Sequence, residues 1–144
     1  MTVPHDTSAA TSRLTADVPR QVLVVDDEDL VRRMLVRMLR EEGFGVHEAT
    51  DGHEALEVIR AALDLFDVVV SDVVMPRVSG VELVGALATL CPDLPCILIS
   101  GYAAPELAEL GFGPLCGVLS KPVARDVLLA EVRRCLRKRP ADTG

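Results

Sequence analysis

Apolar residues follow two patterns along this chain: short continuous runs, and longer stretches in which they recur every three or four positions. Runs dominated by valine, isoleucine and leucine lie at 22–25, 67–71, 96–99 and 116–119. Such runs are typical of strands buried on both faces of a sheet. A weaker run at 45–48 completes five predicted strands, and stretches with the helical period lie at 29–42, 51–63, 81–90 and 123–138.

Two of the predicted helices carry a well-defined apolar stripe. In the first, apolar residues occupy positions 30, 31, 34, 35, 38 and 39, so Met34 and Met38 are predicted to face the core. The predicted inward residues of the last helix are Val127, Leu128, Val132, Cys135 and Leu136. The segment 104–110 has room for only two helical turns before glycine and proline residues interrupt it.

Strand and helix alternate five times, which predicts an α/β fold with a doubly wound, five-stranded parallel sheet and helices on both faces. Residues 1–19 are predicted to form a flexible tail, 20–139 a single domain and 140–144 a short second tail. A chain of 144 residues is long enough for one hydrophobic core. In such a fold the functional site lies at the carboxyl ends of the strands.

Composition narrows the classes of function. The chain has 22 acidic and 15 basic residues, a net charge of −7, no tryptophan, one tyrosine and three phenylalanines. It therefore lacks the positive charge and the stacking surface of a nucleic-acid-binding protein, and we expect no direct DNA binding. No uncharged stretch approaches the roughly 18 residues of a membrane span, and no secretory signal is recognisable. We expect a cytoplasmic protein without membrane contact.

The four cysteines show no metal-binding spacing. Cys91, Cys96, Cys116 and Cys135 form no CxxC pair and have no nearby histidine, which argues against a zinc site. Each lies among apolar residues, so we predict four buried, reduced thiols. A disulfide between Cys96 and Cys116, at the starts of two predicted neighbouring strands, is the alternative.

Polar side chains follow the predicted central strands where each strand ends. Asp26 and Asp27 follow the first strand, Asp72 the third, Ser100 the fourth and Lys121 the fifth. Clustered carboxylates repel one another, so they either take up protons or hold a cation, and Mg²⁺ suits such oxygen ligands. One carboxylate could then attack phosphorus, while Ser100 and Lys121 would stabilise charge on the transferred phosphoryl group.

The segments VLVVDDE (22–28), DVVVSDVVMPRVSG (67–80), ILISG (97–101) and LSKP (119–122) resemble the receiver domain of bacterial two-component response regulators. The resemblance implies the flavodoxin-like strand order 2-1-3-4-5, with Asp72 as the phosphoacceptor. It implies Mg²⁺ binding by Asp26, Asp27, Asp72 and the carbonyl of Val74. It also implies Ser100 as the switch hydroxyl, Lys121 as the phosphoryl-contacting lysine, and a cis bond before Pro122.

Three features depart from that family's usual pattern. Val118 occupies a position that is usually aromatic, the fourth helix is short, and Tyr102 follows Ser100 by two residues. The ISGYA stretch is most similar to receivers that stand alone or are attached to hybrid sensor kinases. We expect Tyr102 and Val74 to flank the path of the hydrolytic water without orienting it, which predicts slow self-dephosphorylation and no enzymatic output.

The implied partners are a histidine kinase or histidine phosphotransfer protein and an unidentified downstream protein. Only about five residues follow Arg139, so we expect no output region in this chain. Three alternatives are a phosphorylation-independent receiver adaptor, a haloacid-dehalogenase-like phosphatase and a flavodoxin-like FMN binder. The phosphatase would need an acidic pair after Lys121, where only Asp126 follows, and an FMN phosphate would be repelled by the acidic residues after the first strand.

Overall fold

Five parallel strands form one sheet within residues 18–101 and 113–137, which the computed structural model describes. The strands are β1 (Gln21–Val25), β2 (Gly45–Ala49), β3 (Val68–Asp72), β4 (Cys96–Ser100) and β5 (Leu115–Ser120). Their order in the sheet is β2-β1-β3-β4-β5, which confirms the predicted topology. Because β1 and β3 are neighbours, with Val25 paired to Ser71, their carboxyl ends lie side by side.

Four helices connect or follow these strands in the described part of the chain: α1 (Asp29–Glu41), α2 (Gly52–Ala61), α3 (Gly80–Leu90) and α4 (Arg125–Cys135). Polar caps explain where two of them begin. The Asp51 side chain accepts a hydrogen bond from the Glu54 N–H at the start of α2, and Ser79 and Glu82 form a capping box at the start of α3. Of these helices, none is long and apolar enough to cross a membrane. The predicted helix at 104–110 lies outside the described residues.

The sheet separates two hydrophobic clusters. Alternate residues of each strand point to opposite faces, so Leu23 and Val69 pack with α2 and α3, whereas Val22 and Val70 pack with α1 and α4. The five strand assignments and this two-sided burial confirm the sequence prediction. Buried strands of this kind hold their ends in fixed positions, which is what the site at the carboxyl edge requires.

Two helices are rotated relative to the predicted stripes. In α1 the buried residues are Arg32, Leu35, Val36 and Leu39, while Met34 is 42% exposed, so its predicted core position is wrong. The buried stripe of α1 lies further round the helix because Arg32 points inward and pairs with acidic neighbours. Val127 is 49% exposed and was also wrongly placed in the core. Helix α4 is shorter than predicted and instead buries Leu128, Leu129, Val132 and Cys135.

Cys116 of β5 and Cys135 of α4 form a disulfide, whereas Cys91 and Cys96 are free and buried. The prediction of four free thiols is therefore wrong for this pair. The alternative bond between Cys96 and Cys116 is also wrong. Cys96 packs on the side of the sheet that holds α2 and α3, and Cys116 packs on the side that holds α1 and α4.

Candidate functional site

Side chains predicted from the strand ends meet at the carboxyl edge of the sheet. Carboxylate oxygens of Asp26, Asp27 and Asp72 lie within 4.8 Å of one another. The Lys121 ammonium lies 3.3 Å from Oδ1 of Asp72 and 3.5 Å from a carboxylate oxygen of Glu28. Glu28 is the residue that precedes α1, and its contact with Lys121 was not predicted.

Asp26 is the most deeply placed carboxyl group of this cluster. Its side chain is buried, and Oδ1 accepts a hydrogen bond from the Glu28 N–H at 2.9 Å. The second oxygen, Oδ2, is buried without a hydrogen-bond partner among the described residues. Burial raises the pKa of Asp26 to about 6, and the charge of Asp72 adds to the rise, while the Glu28 N–H opposes it. A buried carboxylate with only one of its oxygens hydrogen-bonded in the described residues is a suitable ligand for a cation.

Lys121 places positive charge opposite the carboxylates. Partial burial alone would lower its pKa, but Asp72 and Asp26 outweigh that effect and hold the pKa above its usual value. The Lys121 N–H donates to the Ser100 carbonyl at 2.8 Å, and the Lys121–Pro122 bond is cis, as the resemblance implies. Lys121 is therefore a fully charged ammonium held next to the end of β4.

The end of β3 is closely packed against the start of α3. Oδ1 of Asp72 accepts a hydrogen bond from the Val73 N–H at 2.9 Å, and the Gly80 N–H donates to the Val73 carbonyl at 2.9 Å. A Cβ at position 80 would overlap the Asp72 carbonyl oxygen, so glycine there allows this close approach. The packing fixes the backbone that carries the Asp72 carboxylate.

A surface groove of about 370 Å³ opens onto the cluster. It is lined by Asp27, Glu28, Asp72, Val74, Gly101 and Lys121. Val74 is 63% exposed, and Ser100 is buried at the end of β4, where it pairs with Ser120. Asp72 is thus largely shielded from solvent but lines a groove that is open to small molecules.

The two remaining predicted residues have different outcomes. Val118 pairs with Leu98 across β4 and β5 and packs against the cluster formed with α2 and α3. It therefore presents a branched aliphatic side chain where an aromatic ring was expected for the family. Tyr102 lies outside the described residues.

Sequence reasoning missed Arg32, a buried side chain that supports the loop after β1. Its guanidinium donates to the Asp26 carbonyl at 3.0 Å and forms ion pairs with Asp29 at 2.8 Å and Glu48 at 3.0 Å. Asp29 and Arg32 are three residues apart on one helix, a spacing that could have indicated the pair. The contact of Arg32 with the Asp26 carbonyl depends on how α1 folds back over β1 and has no local signal.

A second missed pair joins the loops after β2 and β3. The Arg77 guanidinium donates to Oδ2 of Asp51 at 3.0 and 2.6 Å, and Arg77 has a positive φ of 65°. The hydrogen bond from the Glu54 N–H is the main reason that the pKa of Asp51 is lowered, and the Arg77 guanidinium lowers it further. Asp51 therefore caps α2 and also anchors the loop that follows Asp72.

Comparisons with known proteins identify relatives of this chain. The profile of the family described as "Response regulator receiver domain" matches residues 22–133. The chain is 42% identical to the sensor kinase CckA of Brucella abortus, over 81% of this chain and 12% of the kinase. It is 40% identical to the response regulator MprA of Mycolicibacterium vanbaalenii, over 88% of this chain and 54% of that protein. It thus spans about half the length of one relative and a small part of the other.

A solved structure has the same architecture. The response regulator TrrA of Thermotoga maritima, in complex with Mg²⁺ and BeF, superposes with a TM-score of 0.73 and 31% sequence identity. The superposition covers 81% of this chain and 99% of that one. The two proteins therefore share the same fold over most of this chain.

Proposed function

The chain belongs to the response regulator receiver domain family, and on that premise we propose that Asp72 accepts a phosphoryl group from a phosphohistidine donor. The protein is a receiver domain of a two-component signal transduction system. Neither the phosphatase nor the phosphorylation-independent adaptor gains support from these relatives. The observation that carries the proposal is the Asp72 carboxylate at the end of β3, 3.3 Å from the Lys121 ammonium and lining an open groove.

The proposed reaction is a transfer between two side chains. A carboxylate oxygen of Asp72 attacks phosphorus, a P–O bond forms, and the P–N bond to the donor imidazole breaks. The departing imidazole takes up a proton. Charge on the transferred oxygens develops where Lys121 already provides a charged donor, so little reorganisation is needed during transfer.

We infer that Mg²⁺ binds at the carboxylate cluster, held by Asp26, Asp27, Asp72 and the Val74 carbonyl. Two observations support this fit: a buried Asp26 oxygen without a hydrogen-bond partner in the described part of the chain, and three convergent carboxylates. The structurally similar protein TrrA was solved in complex with Mg²⁺ and BeF. When bound, Mg²⁺ would neutralise charge between the carboxylates and the incoming phosphoryl oxygens. The protein's own part is to hold the oxygen ligands in one place.

The remaining site residues are proposed to act after transfer. The new phosphoryl group carries negative charge, and we propose that the hydroxyl of Ser100, the last residue of the neighbouring strand β4, responds to it. Movement of Ser100 would favour one of two conformations of the following loop and so alter a partner's affinity. The proposed phosphodonor is a histidine kinase or a histidine phosphotransfer protein in the cytoplasm, and the proposed downstream partner is a protein region, on a separate chain or in the rest of a longer one.

Slow self-dephosphorylation is part of the same proposal. Val74, at the groove, is apolar and cannot orient a hydrolytic water. Tyr102 is expected to obstruct the same approach. Replacing Tyr102 with alanine should therefore shorten the aspartyl-phosphate half-life, measured by loss of the phosphorylated mass. An unchanged half-life would remove Tyr102 from this role.

Intact mass spectrometry after incubation with acetyl phosphate and Mg²⁺ tests the phosphoacceptor. The wild-type chain should gain about 80 Da, the mass of one phosphoryl group, and Asp72→Asn should gain nothing. Asp64→Asn is the matched control, because Asp64 is exposed and precedes β3, whereas Asp72 is the last residue of that strand. Omitting Mg²⁺ should abolish the adduct in both competent proteins. An adduct that persists in Asp72→Asn, or no adduct with either acetyl phosphate or a phosphohistidine donor, would contradict the proposal.

A further inference from the structure

The disulfide between Cys116 and Cys135 has no part in phosphoryl transfer. Cys116 is the second residue of β5 and Cys135 the last residue of α4. The bond therefore fastens the end of α4 to the start of the strand that leads to Lys121. We propose that this pair is a reversible redox site, opened and closed by thiol–disulfide exchange with small thiols of the glutathione class, and that its closed form restrains α4 on β5.

The free cysteine Cys96 and the disulfide-bonded Cys116 have different surroundings. Cys96 is fully buried, and burial raises the pKa of its thiol to about 12, so it stays protonated and unreactive. Cys116 is only partly buried. It lies at an irregularity in the sheet, where Cys96 pairs with Leu115 and the next residue of β4 already pairs with Gly117. Cys116 is the extra residue of this bulge, and it is turned toward α4.

A groove gives small thiols access to the bond. Its volume is about 430 Å³, and Cys116, Cys135 and Arg134 contribute to its lining. This volume lies within the ~300–1,000 Å³ typical of small-molecule sites. Cys135 is 4% exposed, so an incoming thiolate meets Cys116 first. The proposed exchange therefore begins at Cys116, the less buried of the two residues.

The exchange balances as two successive displacements. A thiolate of the small molecule attacks the sulfur of Cys116, the bond between the cysteines breaks, and Cys135 leaves as a thiolate that takes up a proton. A second small thiolate then attacks the mixed disulfide and releases Cys116. Two thiols are oxidised to one small-molecule disulfide, and the protein disulfide is reduced by two electrons. An oxidised small-molecule disulfide closes the bond by the reverse steps.

Reduction should loosen α4 without unfolding the domain. Leu128 and Val132 stay buried against the sheet. The Arg134 guanidinium still donates to the Cys116 carbonyl at 2.8 Å, and the Arg137 N–H to the Asp67 carbonyl at 2.8 Å. These contacts keep the helix docked, but they break and re-form by thermal fluctuation, whereas the disulfide opens only by reaction with a thiol. The redox state therefore sets how often the end of α4 separates from β5.

Thiol counting on the full chain tests reversibility. The protein is equilibrated, folded, in buffers of varied reduced-to-oxidised glutathione ratio, then acid-quenched, denatured and alkylated for intact mass measurement. We expect two alkylated cysteines at the oxidising end and four at the reducing end. A Cys91→Ser/Cys96→Ala variant should change from zero to two alkylated cysteines over the same range of glutathione ratios. Cys116→Ser/Cys135→Ser should show two throughout.

Hydrogen exchange on the same samples tests the restraint. Amides at the end of α4 should exchange at least about tenfold faster in the reduced protein, and equally fast in Cys116→Ser/Cys135→Ser in either buffer. Four alkylated cysteines at every ratio would mean that the bond does not form. Two alkylated cysteines at every ratio would mean that the disulfide is a permanent structural bond. Equal amide exchange in the oxidised and reduced proteins would mean that the disulfide does not restrain α4. Each of these results overturns the proposal.

Discussion

Replacing Asp26 with asparagine should stabilise the metal-free protein while abolishing Mg²⁺ binding. The wild-type carboxyl is buried beside Asp72, and one of its oxygens has no hydrogen-bond partner in the described residues. Asparagine has nearly the same shape, carries no charge and can donate a hydrogen bond where the carboxylate cannot. The substitution therefore removes a desolvated negative charge from the carboxyl edge of the sheet and leaves the volume of the side chain nearly unchanged.

The ionisation of Asp26 sets the size of the effect. Its pKa is about 6 in the folded protein, against an ordinary value of 3.8. Each pH unit between these values corresponds to ~1.4 kcal/mol, so ionised Asp26 costs the folded state about 3 kcal/mol. Because the folded-state pKa is raised, this cost is absent below pH 3.8 and grows as pH rises toward 6. It is constant at higher pH.

Urea denaturation in EDTA measures the free energy of unfolding at two pH values. At pH 7.5 Asp26→Asn should be more stable than wild type by about 3 kcal/mol, and at pH 5 by about half as much. Asp27→Asn is the control, because Asp27 is exposed and already solvated, and its substitution should change stability far less. With Mg²⁺ added, wild type should gain stability and Asp26→Asn should not. The reasoning fails if Asp26→Asn is no more stable at pH 7.5, or if its advantage does not shrink at pH 5.

Three further predictions concern the site and the core. Calorimetric titration should give a Mg²⁺ dissociation constant about tenfold weaker at pH 5 than at pH 7.5, because a proton on Asp26 competes with the ion; equal constants would contradict this. Lys121→Met should slow phosphorylation by acetyl phosphate roughly 100-fold by intact mass, with Lys138→Met, near the end of the chain, unaffected. Phe66→Ala should lower the free energy of unfolding by about 3–5 kcal/mol, since Phe66 is fully buried, against about 0.5 kcal/mol for the exposed Leu63→Ala.

The functional edge was predictable from sequence because its geometry follows from topology. Continuous apolar runs identified buried parallel strands, and residues that follow such strands must meet at one edge. Asp26, Asp72 and Lys121 were placed together on that basis, and the structure puts Lys121 3.3 Å from Asp72. Four spaced motifs then connected the same residues to a family.

Side-chain contacts between distant segments were less predictable. The periodic pattern of α1 favoured a buried Met34, but the helix turns Arg32 inward, because its guanidinium finds the Asp26 carbonyl and two carboxylates there. The pairing of Arg77 with Asp51 joins two loops that are 26 residues apart in the chain. The Arg32–Asp29 pair has a local helical spacing, but the contact of Arg32 with the Asp26 carbonyl and the Arg77–Asp51 pair have no spacing that a local pattern could reveal.

The sequence by itself determined the strand positions, the two-sided burial and the acidic edge, because these depend on local polarity and on the rules of parallel sheets. Tertiary structure alone decided the rotation of the helices and the partners of buried polar groups. It also decided the cysteine pairing. Cys116 is adjacent to Cys96 in the sheet yet bonds to Cys135, because side-chain direction and a bulge place Cys96 and Cys116 on opposite faces. These contacts depend on packing in three dimensions, because a shift of one residue in the register of a strand turns its side chains to the other face of the sheet.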